Sequence, residues 1–229
     1  MTSNSYHHGN LKQALVDEYL NLLREMPVEQ ISLRKLASRV GVAATAVYNH
    51  FSDKMELVVA AKIRCLIHFS DYLQGGYDPR LSPKERISNL SKAYFQYSEQ
   101  HRQHFNTIFN VTVEDKYVTN ELVEVSIATE RTVRSAIVDL LKEHHLPVSP
   151  ENEALGVVTC WSMAHGLSCL TAVRINHAAC ATGRWPDEFL LDTREATLQI
   201  FDAIATVIVD GILSAVRKNS REQSPDCSA

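Results

Sequence analysis

The chain has 229 residues, of which 45% are hydrophobic, and a formal net charge of −4. This composition allows a substantial core in one or two domains, and it excludes a chain that binds nucleic acid through bulk positive charge alone. The charge is uneven, because residues 1–64 carry 8 Lys and Arg against 6 Asp and Glu. This distribution is compatible with a mildly positive end on an acidic body, and equally with chance.

Helical periodicity runs through almost the whole chain, without a convincing alternating strand pattern. The sequence therefore predicts an all-α fold of about nine helices. The predicted helices, in chain order, span about 10–26, 33–40, 44–51, 53–73, 83–100, 101–109, 120–145, 151–177 and 193–218. We expect a loop at 178–189. We also expect a helix-turn-helix DNA-binding domain (1–52), a ligand-binding and dimerisation domain (53–218) and a disordered tail (219–229).

Residues at the helix ends support this division. Ser32 is suited to cap the second helix, and Gly41 follows its last apolar residue, where a left-handed backbone favours glycine. Asp53 with Glu56 has the spacing of a capping box, as has Ser82 with Glu85. These caps predict that the fourth helix begins near residue 53 and the fifth near residue 83.

The second and third helices together have the pattern of a helix-turn-helix. Leu33, Leu36 and Val40 form one apolar face of the second helix, and Val47 and Phe51 point inward from the third. The third helix then presents small, hydrogen-bonding and aromatic side chains outward. A short helix of this kind, braced by the preceding helix, fits a DNA major groove.

Several motifs resemble the TetR family of transcriptional regulators. They are the opening YHHGNLKQAL, the SLRKLASRVGV helix and turn, and the Y-x-H-F-x-x-K string that runs from Tyr48 to Lys54. In the C-terminal half, WSMAHG resembles the W-x-x-x-H-G signature of one subgroup of TetR ligand domains. The resemblance implies a homodimer that binds a double-stranded DNA operator. It also implies release by a small-molecule effector and hence repression, although a minority of the family activate.

The resemblance and the chemistry of the side chains together predict the DNA contacts. Tyr48 and Lys54 match family positions that contact phosphates, and Asn49 can bond adenine in the groove. The full predicted set is Lys35, Ala44, Thr45, Ala46, Tyr48, Asn49, His50 and Lys54. At Ala43 the chain departs from the family, which often has a capping Ser or Thr there. The opening segment 6–10 is also expected near the DNA backbone.

The predicted effector site is an apolar pocket with a few polar groups. Trp161 and His165 are four residues apart and share a helix face, and aromatic residues cluster on the fifth and sixth helices. The candidate ligand-binding residues are Tyr94, His104, Phe105, Phe109, Trp161 and His165. The alternative is that these residues are plain core.

The last helix is apolar around most of its circumference, so it needs cover on two sides. We expect a second copy of the chain to supply one of them, since the resemblance implies dimerisation through the last two long helices. The predicted dimer interface is Leu198, Phe201, Ala205, Ile208 and Ile212. The alternative is a central helix of a monomeric bundle.

The sequence offers little support for an enzyme or for a resident metal. Cys160 and His165 do not share a helix face, and there is no Gly-rich phosphate loop. His101 and His104 form an H-x-x-H pair that could hold a metal, but the sequence places no carboxylate ligand beside it. We expect no catalytic residue, no metal and no cofactor, with an adaptor protein as the other alternative.

The expected location is the cytoplasm. The chain has five cysteines without a C-x-x-C pair, and its polar N-terminus shows no secretory signal. This pattern predicts reduced thiols, with redox sensing as a minor alternative. The most apolar run, 200–216, is interrupted by Asp202 and Asp210, so we expect no membrane contact.

Overall fold

The computed structural model describes residues 11–172, 182 and 194–222. These residues form nine α-helices, two short 3-10 turns and no strand, which confirms the all-α prediction. The helices are α1 (Leu11–Glu25), α2 (Leu33–Val40), α3 (Ala44–Tyr48), α4 (Lys54–Gly75), α5 (Pro83–Gln100), α6 (Arg102–Phe109), α7 (Asn120–Glu143), α8 (Pro150–Ala172) and α9 (Arg194–Glu222). The expected loop at 178–189, except for residue 182, lies outside the described residues, as does most of the expected tail.

The ends of α2 are built as its sequence predicts. The Ser32 Oγ accepts a hydrogen bond from the Lys35 backbone N–H at 3.1 Å. Gly41 has a φ of +79°, and its N–H donates to the Ala37 carbonyl, which ends the helix. A side chain at position 41 would be strained by this left-handed backbone, so the turn into α3 depends on glycine.

The two predicted caps downstream are present, but in the first of them the Glu56 carboxylate accepts from the Ser52 N–H instead of the Asp53 N–H. Asp53 Oδ1 accepts hydrogen bonds from the backbone N–H groups of Met55 and Glu56 at the start of α4. Ser82 and Glu85 form a reciprocal capping box at the start of α5. The Glu85 backbone N lies 3.3 Å from Ser82 Oγ, and the Ser82 backbone N lies 2.9 Å from Glu85 Oε2. Each cap satisfies backbone donors that have no partner within the helix.

The chain divides into two compact units. The first contains Met1–Phe69 and His101–Ala128, and the second contains Ser70–Gln100 and Thr129–Ala229. This division differs from the predicted boundary at residue 52, because α6 returns to pack against α1. The helix-turn-helix therefore shares its unit with α6 and with the first part of α4.

In the first unit, α1 contacts α2 and α6, and α2 contacts α3. Leu15, Leu22 and Leu36 are completely buried, and Phe51 and Phe69 are nearly so. Burial of side chains of this size contributes about 1.5–3 kcal/mol each, so the short helices are held by packing rather than by their own propensity.

In the second unit, α5, α8 and α9 contact one another. Helix α8 also approaches α7 closely at Gly156, where an added Cβ would lie 2.5 Å from the Ile137 Cγ2. On α9, Asp202 accepts hydrogen bonds from Lys92 and Ser88 of α5. Asp202, one of the two acidic residues that interrupt the apolar sequence of α9, is thus paired within the bundle.

Two helices, α8 and α9, are long and apolar enough to cross a membrane by length and composition alone. Their most apolar windows have mean hydropathies of 1.2 and 1.7, and a third of each window is buried. This corrects the expectation that the charges in 200–216 keep that segment below membrane-spanning character. Core helices of bundles meet the same criterion, and the contacts of both helices with α5 are those of bundle helices.

Candidate DNA-binding surface and effector site

Helix α3 is five residues long, and packing holds it in place. Val47 is completely buried and Phe51 is 2% exposed, so one face is anchored in the first unit. The Ala43 side chain makes no capping hydrogen bond, as its chemistry requires. A missing cap costs about 1 kcal/mol, which burial of the two anchors offsets.

The opposite face of α3 and the two residues that follow the helix carry the predicted DNA contacts. Thr45, Asn49 and His50 are exposed, and Tyr48 is 50% exposed, which is unusual for a large aromatic side chain. Ala44 and Ala46 are half-buried. The structure thus gathers six predicted residues on one short segment, with hydroxyl, amide and imidazole groups facing outward.

The cations around α3 differ in how they are held. Lys35 is exposed on α2, and no ion pair within the described residues engages it. Lys54 is half-buried, and its Nζ donates to the Val28 carbonyl at the 3-10 turn after α1. Arg39 forms ion pairs with Glu18 and Glu25, both at 2.8 Å. Lys54 and Arg39 therefore brace the unit, and Lys35 is the better placed of the three for a phosphate.

The start of α4 has a contact that the sequence did not reveal. The Tyr117 hydroxyl donates to Asp53 Oδ2, the second oxygen of the capping carboxylate. This hydrogen bond, with those from Glu56 and Met55, holds the pKa of Asp53 below its ordinary value. Tyr117 lies 64 positions further along the chain, so no local pattern could have paired it with the end of the helix-turn-helix.

In the second unit, Tyr94 and His165 form the polar part of the predicted effector site. The Tyr94 hydroxyl lies 2.8 Å from His165 Nδ1, and Cys169 Sγ lies 3.5 Å from His165 Nε2. Tyr94 is 3% exposed, and burial raises the pKa of its hydroxyl, so it is neutral at any physiological pH. The imidazole is thus oriented by contacts on both ring nitrogens.

Beside this pair, Trp161 lines a cavity of about 10 Å³. Its indole Nε1 is buried and has no hydrogen-bond partner among the described residues. An unsatisfied buried donor costs about 1–3 kcal/mol. The cavity is lined by Leu73, Ile87, Leu90, Ser91, Tyr94, Val133, Cys160, Trp161 and Ala164. A group that accepts from the indole would gain that free energy, but the cavity must widen to admit it.

The six predicted ligand-binding residues do not fall in one unit. Tyr94, Trp161 and His165 belong to the second unit, whereas the α6 residues His104, Phe105 and Phe109 belong to the first. Phe105 is buried against Phe109, with ring centroids 4.7 Å apart. Spacing along the chain could not separate the two groups, because α5 and α6 are consecutive helices.

The first unit also has an open cleft of about 450 Å³, which sequence reasoning missed. Its wall includes charged side chains from α1, α4 and the segment after α6, such as Lys12, Glu56 and Lys116. Apolar surface makes up the larger part of the wall, so the cleft suits a partner that carries both apolar and charged groups.

The predicted dimer residues of α9 lie mainly on its inner face. Phe201, Ala205 and Ile212 are completely or nearly completely buried within one chain, and Leu198 and Ile208 are half-buried. The outward face instead carries Val207, 70% exposed, with Gly211 beside it. Both faces are apolar, so periodicity alone could not tell which one the chain itself covers.

The opening segment 6–10, also predicted near DNA, lies outside the described residues.

Comparison with known proteins identifies both halves of the chain. Residues 12–61 match the family of bacterial regulatory proteins of the tetR family, and residues 87–178 match the Tetracyclin repressor-like C-terminal domain. The HTH-type transcriptional activator FasR of Mycolicibacterium smegmatis is 29% identical over 109 residues, which are 47% of this chain and 48% of FasR. The match thus spans about half the length of that relative.

Solved structures show the same fold over most of the chain. A protein of unknown function from Rhodococcus sp. RHA1 has a TM-score of 0.67 at 17% identity, covering 91% of this chain and 98% of its own. The TetR family regulator PfmR from Thermus thermophilus has a TM-score of 0.54 at 17% identity, covering 86% and 97%. With its DNA-binding and C-terminal domains both matched, the chain belongs to the TetR family of transcriptional regulators, which are DNA-binding proteins and not enzymes.

Proposed function

We propose that this regulator acts in the cytoplasm as a homodimeric repressor, released from a palindromic operator when a small molecule binds its second unit. The observation that carries the DNA-binding part is the exposed face of α3, with Tyr48 and Asn49 held outward by the buried anchors Val47 and Phe51. A rigidly anchored short helix presents its polar groups to base edges without a further ordering cost.

The outward face of α8 and α9 supports the dimer. Val158 and Leu170 on α8 and Val207 on α9 are each 60% exposed or more, an unusual density of exposed apolar side chains. An added Cβ at Gly166 or Gly211 would meet no atom within 4 Å. Small residues among exposed apolar ones permit close approach of partner helices. A second copy of this chain fits, because a twofold dimer places two recognition helices about 34–36 Å apart on DNA.

The Trp161 cavity supports an effector of defined chemistry. The residues that line it are apolar apart from Ser91, Tyr94 and Trp161, and the buried indole N–H of Trp161 has no partner among the described residues. We therefore expect a mainly apolar molecule that carries a hydrogen-bond acceptor such as a carbonyl. Since the cavity is too small for such a molecule as it stands, the ligand must favour a state with α5 and α8 further apart. Differential binding of this kind is what shifts a conformational equilibrium.

The test of DNA binding is fluorescence anisotropy of the purified protein with DNA from upstream of its own gene. We expect saturable binding by two protomers per site, with a steep dependence on salt. Lys35→Ala should weaken binding and reduce the salt slope by about one unit, because it removes one phosphate contact. Lys84→Ala, which removes an exposed charge from α5 in the second unit, is the matched control and should change neither quantity.

Activation is the second candidate, because the relative FasR is named a transcriptional activator. The two directions are separated by in vitro transcription from the promoter that the protein binds. Repression predicts that added protein lowers transcript yield and that the effector restores it. A rise in yield on adding protein would establish the activator instead.

A further inference from the structure

Three histidines from two helices meet in the first unit, and none of them belongs to the α3 surface. His68 lies on α4, His101 directly precedes α6, and His104 lies one turn further along α6. All three are half-buried, and each offers one ring nitrogen within 4.8 Å of the other two. The sequence shows only the H-x-x-H pair, since His68 precedes it by more than thirty residues.

The three rings contact one another across α4 and α6. The His68 ring is 4.6 Å from that of His101 and 5.1 Å from that of His104, and is nearly perpendicular to both. His101 and His104 are stacked at 5.8 Å. A tetrahedral ion with metal–nitrogen bonds of about 2.0–2.1 Å needs nitrogens roughly 3.3 Å apart. The ring nitrogens already lie within 4.8 Å of one another, so side-chain rotations can provide this spacing.

Two arginines, Arg24 and Arg64, lie near enough to the cluster to act electrostatically on His104. Their positive charge opposes the binding of any cation. A cation can therefore occupy the cluster only where ligation by the three imidazoles outweighs this repulsion, which favours a transition metal over a weakly held ion.

We propose that His68, His101 and His104 form a three-histidine site for a divalent first-row transition metal of the zinc type, with water in the fourth position. Imidazole ligands without carboxylate suit Zn²⁺ rather than Mg²⁺ or Ca²⁺. The metal would join α4 to α6, and α4 begins directly after the helix-turn-helix. Metal binding would then stabilise the unit that carries the DNA-binding surface.

The test uses the full chain without an affinity tag, first freed of metal with a chelator and then titrated with Zn²⁺ and with Co²⁺. We expect one tightly bound ion per chain, a visible Co²⁺ spectrum typical of four-coordination, and a higher melting temperature with Zn²⁺. This readout involves no DNA, so it succeeds or fails independently of the proposed operator binding.

Variants locate the site. His68→Gln and His104→Gln should each reduce Zn²⁺ affinity at least 100-fold, whereas His104→Cys, which keeps a ligand, should retain binding. His144→Gln, at an exposed position, and the double variant His7→Gln/His8→Gln serve as controls and should bind like the wild type. If the folded wild-type protein binds no Zn²⁺, or if the His68 and His104 variants bind it with unchanged affinity and stoichiometry, the proposal is wrong.

Discussion

The two units present their candidate functional groups in opposite ways. The first turns polar side chains of one five-residue helix outward, with Val47 and Phe51 as anchors. The second encloses its polar groups, with Tyr94 of α5 meeting His165 of α8 in its interior. An outward surface made from one helix follows from local sequence, whereas an enclosed site made from distant helices depends on how they pack. Mutations in the two units should therefore have different effects.

The largest effect should come from charges on the outward face of the second unit. Val158→Glu combined with Val207→Glu would place four carboxylates in the interface of a dimer, where unpaired charges are strongly unfavourable. We expect the dimer dissociation constant to rise at least about 100-fold, measured by analytical ultracentrifugation. Val123→Glu, also at an exposed position but in the first unit, should leave association unchanged. Equal association of all the proteins would place the dimer interface elsewhere.

Alanine substitutions at two glycines of the second unit should change stability in opposite directions. Gly156→Ala places a methyl group against Ile137 and should destabilise the chain by about 1–3 kcal/mol. Gly211→Ala adds a methyl group in open space and should raise helix stability by up to about 1 kcal/mol. In the proposed dimer the same methyl group should weaken association. Chemical denaturation and sedimentation separate the two effects, and destabilisation by both variants would contradict the packing described for α8 and α9.

Tyr94 and Tyr48 provide a matched test of the roles of the two units. Tyr94→Phe removes a buried hydroxyl from His165 and should cost about 1–3 kcal/mol of unfolding free energy with DNA affinity unchanged. Tyr48→Phe removes a half-exposed hydroxyl, so it should change stability by less than about 0.5 kcal/mol. It should instead weaken DNA binding by about 1 kcal/mol. Urea denaturation and anisotropy on both variants give the four values, and the reverse assignment would contradict the roles of the units.

The smallest expected effect concerns the cysteines. Burial raises the pKa of the Cys65 and Cys160 thiols to about 12, so both remain protonated and shielded at pH 8. Cys169 is exposed and should be alkylated by iodoacetamide in the native state. Peptide mass spectrometry should find Cys169 modified before Cys65 and Cys160, which should be modified only after denaturation. Rapid native labelling of Cys160 would show that the Trp161 cavity opens readily.

Sequence reasoning predicted the features that depend on residues close together in the chain and missed those that depend on distant residues. The caps at Ser32 and Ser82 and the glycine at position 41 act within a few residues, and they fixed the helix ends closely. Phe201 and Ala205 are predicted in the dimer interface because α9 is apolar on two sides. Only the packing within one chain shows that these two residues face inward. Tyr117 and His68 were missed for the same reason, since their partners are distant in the chain and share no local pattern with them.

We propose that the exposed face of α3 reads operator DNA as half of a twofold dimer. Selection of bound sequences from random DNA, with the wild type and Asn49→Ala in parallel, tests it most directly. We predict a palindrome for the wild type, with half-sites about one helical turn apart, and for Asn49→Ala the same palindrome with relaxed preference at one base pair in each half-site. Failure of the wild type to enrich any palindrome, or identical base preferences for both proteins, would contradict the claim.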